Sequence, residues 1–269
     1  MRIHILGSGA AEGWPAVFCR CDACRRARER GGRSIRTRAA TLVDGVFQFD
    51  WSSDAYMQAL RDGVDLSAVR HVIFTHTHQD HYYPEEMAFR RPPFAHETLP
   101  LDIWADRWAV DGLKAAVADL AAANITLHEL EAYTTYQVGD ARLTPLVANH
   151  FPERGCFNYI FEREGKTLFY GQDSGWYPDD HWQAQKGHRF DAVVLDCTGG
   201  PKGAGVHHGN IEMLIRIKER MLLEGTATEK TCFIANHFSH NGGFLYEELV
   251  EALEPHGFVV SYDGLILEV

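Results

Sequence analysis

Apolar residues in this 269-residue chain gather in many short runs, and most runs stop abruptly at polar or glycine-rich sequence. Short runs rich in Val, Ile, Phe and Tyr and bounded in this way predict buried strands. Residues 2–6 form the first. The Gly7-Ser8-Gly9-Ala10 that follows is either a plain strand exit or a tight turn where the backbone passes close to another segment. Residues 40–43 and 46–50 predict a hairpin about Asp44-Gly45, a pair that favours a type I′ turn. Further strands are expected at 71–74, 101–105, 141–148, 191–196, 231–236, 258–261 and 265–269, with a second hairpin from 157–161 and 167–170. Between them, Ser52 or Ser53 can cap a short helix reaching Leu60, and Pro84 opens a brief one to Arg90. Asp106 can cap an amphipathic helix to about Ala122, and another helix ends near Leu223. Strands interspersed with helices, without a fixed-period repeat or a low-complexity linker, predict one α/β domain over residues 1–269.

Composition adds limits to that pattern. Hydrophobic residues make up 45% and charged residues 23%, ordinary values for a chain that buries a sizeable core. A net charge of −11 argues against coating long nucleic acid, because no overall basic field attracts phosphates. A small anionic substrate remains compatible, since metal ions and a few local arginines would then set the field. No apolar stretch approaches the roughly 20 residues of a membrane helix, and the run in residues 1–10 is too short for a signal-peptide core. The expectation is a cytoplasmic protein with no membrane partner. Six cysteines, three clustered and three scattered, make a poor disulfide framework and fit that compartment. Oligomeric state is left open, a homodimer among the options.

The candidate chemistry lies where strands end. Directly after the 71–74 run comes Thr75-His76-Thr77-His78-Gln79-Asp80-His81, three histidines and an aspartate within six positions. Burying so many unpaired polar groups would be costly, whereas a metal satisfies them all. Later strands end in His150, Asp173 and His237. One metal does not need seven protein ligands, but two ions sharing a carboxylate use them. Two such ions, zinc or manganese, clamp a substrate oxygen and lower the pKa of water toward roughly 7, so hydrolysis is the natural outcome. Asp80 can both bind metal and orient the nucleophile.

Cys19-Arg20-Cys21-Asp22-Ala23-Cys24 offers three thiolates to one structural zinc, which needs a fourth ligand from elsewhere. The alternatives are a redox pair or three unconnected thiols. His240, three residues after His237, can point away from the metal pair and supply the missing ligand. Within the arginine-rich stretch from Arg20 to Arg38, Arg25 to Arg30 read as a solvated helix face; alternatively Arg36 or Arg38 comes near an anionic substrate. Residues 91–96 read as an irregular insert flanking the active-site mouth.

The His-x-His-x-Asp-His loop resembles the signature of the metallo-β-lactamase superfamily, and His150, Asp173 and His237 match its remaining ligands in order. This resemblance implies an αββα four-layer sandwich, with His76, His78 and His150 at one metal, Asp80, His81 and His237 at the other, and Asp173 bridging. The knuckle at 19–24, the opening from Gly7 to Pro15 and His237-x-x-His240 look like the branch containing the carbon-phosphorus lyase accessory phosphodiesterases. That branch hydrolyses phosphoribosyl cyclic phosphate. It also carries a histidine that protonates the leaving alkoxide or positions phosphate, for which His208 is chosen over His207 by its spacing to Asn210. Two other readings stand beside this one: a metal-dependent ester, lactone or thioester hydrolase, and a non-catalytic metabolite binder resembling the pyrroloquinoline quinone biosynthesis protein of the same superfamily.

Overall fold

Alternation along the strands builds the layers. The structure, a computed structural model, describes residues 1–151, 154–203 and 205–269. In chain order its elements are β1 (Arg2–Gly7), α1 (Asp22–Arg30), β2 (Ala40–Val43), β3 (Phe47–Phe49), α2 (Ala55–Asp62), β4 (His71–Ile73), β5 (Leu101–Ala105), α3 (Arg107–Ala116) and β6 (Ile125–Glu129). The second half continues with β7 (Tyr136–Val138), β8 (Ala141–Val147), β9 (Phe157–Arg163), β10 (Lys166–Gly171), α4 (Asp179–Gln185), β11 (Ala192–Asp196), α5 (Ile211–Glu224), β12 (Cys232–Asn236), α6 (Tyr246–Leu253), β13 (Phe258–Val260) and β14 (Leu265–Glu268). Two seven-stranded sheets result, ordered β14-β1-β2-β3-β4-β5-β6 and β13-β12-β11-β10-β9-β8-β7.

Successive side chains point to opposite faces of a strand. In β11, Ala192 and Val194 therefore join Ile3, Ile5, Phe47, Phe49, Tyr159 and Phe161 between the sheets, while Val193 and Leu195 face outward. On that outer side they meet Trp182 of α4, Leu214, Ile217 and Met221 of α5, and Leu249 of α6. The other sheet turns Leu6, Val72, Phe74 and Ile103 onto Ala109, Val110 and Leu113 of α3. Three apolar layers thus separate four layers of structure, the αββα sandwich that the resemblance implied. Each large side chain buried in them contributes roughly 1.5–3 kcal/mol.

The hairpin about Asp44-Gly45 has positive φ at both residues, 51° and 74°, as a type I′ turn requires. Two helix boundaries differ from expectation. α3 stops at Ala116, because Val117 leaves helical geometry and the Asp119 carboxylate draws the Ala122 N–H into a separate turn. Residues Pro84–Phe89 form a tighter 3₁₀ helix. The glycine turn after β1 is a close approach: a β-carbon on Gly7 would stand 1.8 Å from the Arg38 carbonyl oxygen. Gly9 bridges to both Arg38 and Phe238, so the turn is pinned beside the loop that follows β12.

Sheet direction then decides where the polar strand ends go. β3 through β6 run parallel, as do β10 through β13. β8 pairs antiparallel to β9, which pairs antiparallel to β10, so β8 shares the direction of β10. The segments leaving β4, β8, β10, β11 and β12 therefore emerge where their ligand-type residues can gather. No helix among the described residues is long and apolar enough to cross a membrane.

Candidate metal centre

Seven side chains from four separate segments meet at this edge. Ligand atoms of His76, His78 and His150 lie within 4.8 Å of one another, and so do those of Asp80, His81, Asp173 and His237. The two groups abut through the His76 and His81 rings, whose centroids are 4.5 Å apart. Asp173 touches the second group, 2.5 Å from His81 Nε2 and 3.3 Å from His237 Nε2, and reaches toward His208 with its other oxygen. Both Asp173 and His237 hold left-handed backbone, φ 45° and 60°. Such geometry in non-glycine residues costs about 1–3 kcal/mol each and persists where the surroundings enforce it.

Hydrogen bonds behind the rings fix their tautomers. Thr75 Oγ1 donates to Asp50 and therefore accepts from His76 Nδ1, 3.0 Å away. The Asp50 carboxylate takes His81 Nδ1–H at 2.7 Å. Thr198 Oγ1 donates to the His237 carbonyl and accepts from His237 Nδ1, and the His207 carbonyl accepts from His150 Nδ1. In all four rings Nδ1 carries the proton and Nε2 turns inward as a lone pair. Yet His150 Nε2 and His76 Nε2 both face His78 Nδ1, at 3.0 and 2.8 Å, and His81 Nε2 faces His237 Nε2 at 3.2 Å. Converging lone pairs repel unless a cation lies between them, so this donor set fits divalent ions bound by imidazole and carboxylate.

The electrostatics agree. Burial, then the charge of His81, holds His76 well below the ordinary histidine range, which keeps it a neutral donor. Burial opposes a charged His81, but Asp80, Asp173 and Asp50 raise it well above the ordinary value, a measure of how strongly three carboxylates demand positive charge. Asp80 is held well below the carboxylate range, its burial outweighed by His81 and His237.

A cavity of about 780 Å³ opens over the centre, lined among others by Ala10, Glu12, Gln79, Phe151, Arg154, His208 and Asn241. His208 sits where the Gly209 backbone lies directly on the end of β11; a β-carbon there would fall 2.0 Å from the Asp196 carbonyl oxygen. Its Nδ1 is 2.8 Å from Asp196 Oδ2. Burial disfavours its charged form, but Asp196 and Asp173 push it up to about 9.

The knuckle is assembled from the other side of the same loop. Cys19, Cys21, Cys24 and His240 bring their ligand atoms within 4.8 Å of one another, with His240 Nδ1 at 3.4 Å from Cys21 Sγ and 3.7 Å from Cys19 Sγ. Cys21 also caps α1 by accepting the Cys24 N–H. Against the effect of its burial, that N–H and the neighbouring thiols and His240 lower the Cys21 thiol to about 6. His240 Nε2 faces Glu12, which also accepts from Ser239, so one carboxylate spans knuckle and cavity.

Four expected features have no place in the cavity lining. Arg36 is buried beneath the glycine turn, donating to Ser8 Oγ and the Ser261 carbonyl with its guanidinium over the Phe238 ring. Arg38 pairs with Asp54 and donates to the Ala11 carbonyl. Neither lines the cavity: Arg36 is buried with its Nη1 on Ser8 and Ser261, and Arg38 is held by Asp54 and the Ala11 carbonyl. His207 offers its backbone carbonyl to His150 while its side chain is exposed outside the cavity lining. Nor do residues 91–96 line it. Of the glycine-rich loop before His207, Ala204 lies outside the described residues. Sequence reasoning missed Asp50, Asp196, Thr75 and Thr198, although both aspartates end strand-like runs just as Asp173 does.

Solved structures share this architecture. A diphosphatase from the PhnP family superposes with a TM-score of 0.78 at 22% identity, covering 100% of this chain and 97% of that one. Zinc-bound PqqB from Methylobacterium extorquens gives 0.72 at 17% identity, with 100% of each chain covered. The short form of human tRNase Z gives 0.67 at 14% identity, covering 100% of this chain and 99% of that one. Among curated proteins, an octanoyltransferase from Porphyromonas gingivalis is 37% identical over 83 residues, 30% of this chain. The match spans only 16% of that protein's length. Residues 41–253 match the family model described as a beta-lactamase superfamily domain, and the chain belongs to that superfamily.

Proposed function

We propose, from that membership, that the chain is a dinuclear metal-dependent hydrolase that cleaves a small phosphodiester, a cyclic ribosyl phosphate of the phosphoribosyl type fitting best. The observation that carries this reading is His208, held by Asp196 beside Asp173 and facing the cavity. A thioester's thiolate departs without a proton, whereas the poorly leaving alkoxide of a sugar phosphodiester needs an acid over the centre. His76, His78 and His150 would hold one divalent ion and Asp80, His81 and His237 the other, with Asp173 between them. When bound, the ions supply Lewis-acid stabilisation of charge on the phosphoryl group and activate water.

The remaining work belongs to the chain's own residues. Asp50, Thr75, Thr198 and the His207 carbonyl keep each imidazole in one tautomer, so no reorganisation is needed as charge develops. Asp80 orients the attacking water. As the P–O bond to the departing alkoxide breaks, His208 gives that oxygen the proton on Nε2, the nitrogen left free by the Asp196 contact, and is reprotonated from solvent. The neighbours named as a diphosphatase, a tRNase Z and the yeast phosphodiesterase PDE1 are compatible with phosphoester chemistry on this fold.

The test uses metal-loaded protein and two phosphodiesters. His208→Gln is expected to lower kcat about 10²- to 10³-fold on ribosyl cyclic phosphate. On bis(p-nitrophenyl) phosphate, whose leaving group departs without a proton, the loss should be under about 5-fold. Turnover of lactone or thioester substrates with neither diester cleaved would overturn the reading. One metal per chain with no esterase activity at all would favour the metabolite binder.

A further inference from the structure

We propose that Glu12 sets substrate specificity: one of its carboxylate oxygens accepts a hydrogen bond from a sugar hydroxyl next to the reacting phosphodiester. The inference rests on the phosphodiesterase reading and deepens it. Among the described residues, three carboxylates line the cavity, and two of them, Asp80 and Asp173, belong to the metal centre. Glu12 is the third, and the backbone fixes its place relative to that centre. The turn that carries it is stapled to the loop after β12. The Ala10 N–H donates to the Phe238 carbonyl at 3.0 Å, and the Phe238 N–H donates to the Ser8 carbonyl at 2.9 Å. His237, a ligand-type residue of the centre, immediately precedes Phe238.

Only half of this carboxylate is engaged. Ser239 Oγ accepts the Asn241 N–H at 3.1 Å, so its own proton goes to Glu12 Oε1. His240 Nε2 lies 3.4 Å from the same oxygen, on the ring edge opposite the Nδ1 that faces the Cys19 and Cys21 sulfurs. Oε1 is thereby anchored to the knuckle side of the loop, while Oε2 has no hydrogen-bond partner among the described residues. A carboxylate accepts hydrogen bonds and donates none. It repels phosphoryl oxygens, so the group it receives is a donor, and on a small sugar phosphodiester the donors are the ring hydroxyls. A substrate entering the cavity strips water from Oε2, and that cost is offset only when such a hydroxyl takes the water's place. Discrimination against a compound lacking the hydroxyl follows.

A matched pair of compounds decides the point: ribosyl 1,2-cyclic phosphate and its 3-deoxy analogue, assayed on metal-loaded wild type, Glu12→Gln and Glu12→Met. Wild type should prefer the 3-hydroxyl compound about 30- to 100-fold in kcat/KM. Glu12→Met removes the acceptor at similar length and should shrink that preference to under about 3-fold, by losing activity on the 3-hydroxyl compound alone. Glu12→Gln keeps a neutral acceptor and should fall between the two. Damage to the knuckle would instead lower both compounds together. Equal rates on both compounds in wild type, an equal loss on both in Glu12→Met, or turnover of a chromogenic diester with neither ribosyl compound cleaved would overturn the assignment of Glu12 and leave the diesterase chemistry intact. A wild type that cleaves neither compound nor a chromogenic diester would bring down both.

Discussion

Two groups of ligand-type side chains share the loop after β12, His237 serving one and His240 the other, and they are built in opposite ways. The seven-residue centre is drawn from four segments between His76 and His237, and its two carboxylates and His76, His81 and His237 are buried. Behind its imidazoles stand acceptors that fix which nitrogen faces inward. The knuckle takes three of its four groups from residues 19–24, leaves Cys21 exposed and has little behind it besides Glu12. A buried centre needs a framework that holds converging lone pairs together before any ion arrives. A near-surface knuckle can take its shape from the ion itself and repays it by tying the amino-terminal loop to the site.

That contrast predicts activity loss without unfolding at the first group and stability loss with residual activity at the second. Asp173→Ala should have the largest effect, lowering kcat on a chromogenic diester by at least about 10³-fold and removing one or both ions from the centre. Circular dichroism should stay near wild type, because the side chain packs no core layer, and Tm should fall only by what the lost ions contributed. Collapse of the fold with the activity would mean that the centre is structural after all. Asp50→Asn probes the support behind the ligands: it keeps the shape but weakens the hold on His81 Nδ1–H. Metal affinity, read by competition with a chelator, should fall about 10- to 100-fold, with kcat at saturating metal far less affected. An unchanged affinity would reduce Asp50 to a fold residue. Cys24→Ser should have the smallest catalytic effect, taking bound metal from three ions per chain to two by elemental analysis, the lost ion being zinc. Tm should fall by roughly 5–10 °C, about 2–3 kcal/mol for a domain of this size, with at least about a third of kcat retained. Unchanged metal content would leave the thiols as three unconnected cysteines.

Arg36 and His81 mark how far the chain could be read in advance. His81 was legible because its partners in the 76–81 loop are adjacent in sequence, and an unsatisfied polar cluster after a buried strand allows few explanations. Arg36 was not, since a buried arginine and a substrate-facing one have the same letter and similar neighbours. Only the close packing of Gly7 against Arg38, with Gly9 bridged to Phe238, shows that Arg36 is held under the glycine turn rather than at the cavity. Asp196 stands between these cases: it ends a strand as Asp173 does, but its partner His208 lies across an intervening glycine-rich loop.

By itself, then, the order of residues determined the short buried strands of an α/β domain and the identity of the ligand-type side chains, because those depend on local alternation and on groups that cannot be buried alone, whereas the αββα class followed from the resemblance of the His-x-His-x-Asp-His loop to a known superfamily. The tertiary structure decided which of them face one another, which carboxylates and hydroxyls fix their tautomers, and that Arg154 rather than Arg36 or Arg38 lines the cavity. Those outcomes depend on strand direction and packing between segments far apart in the chain, and no local pattern encodes such distances.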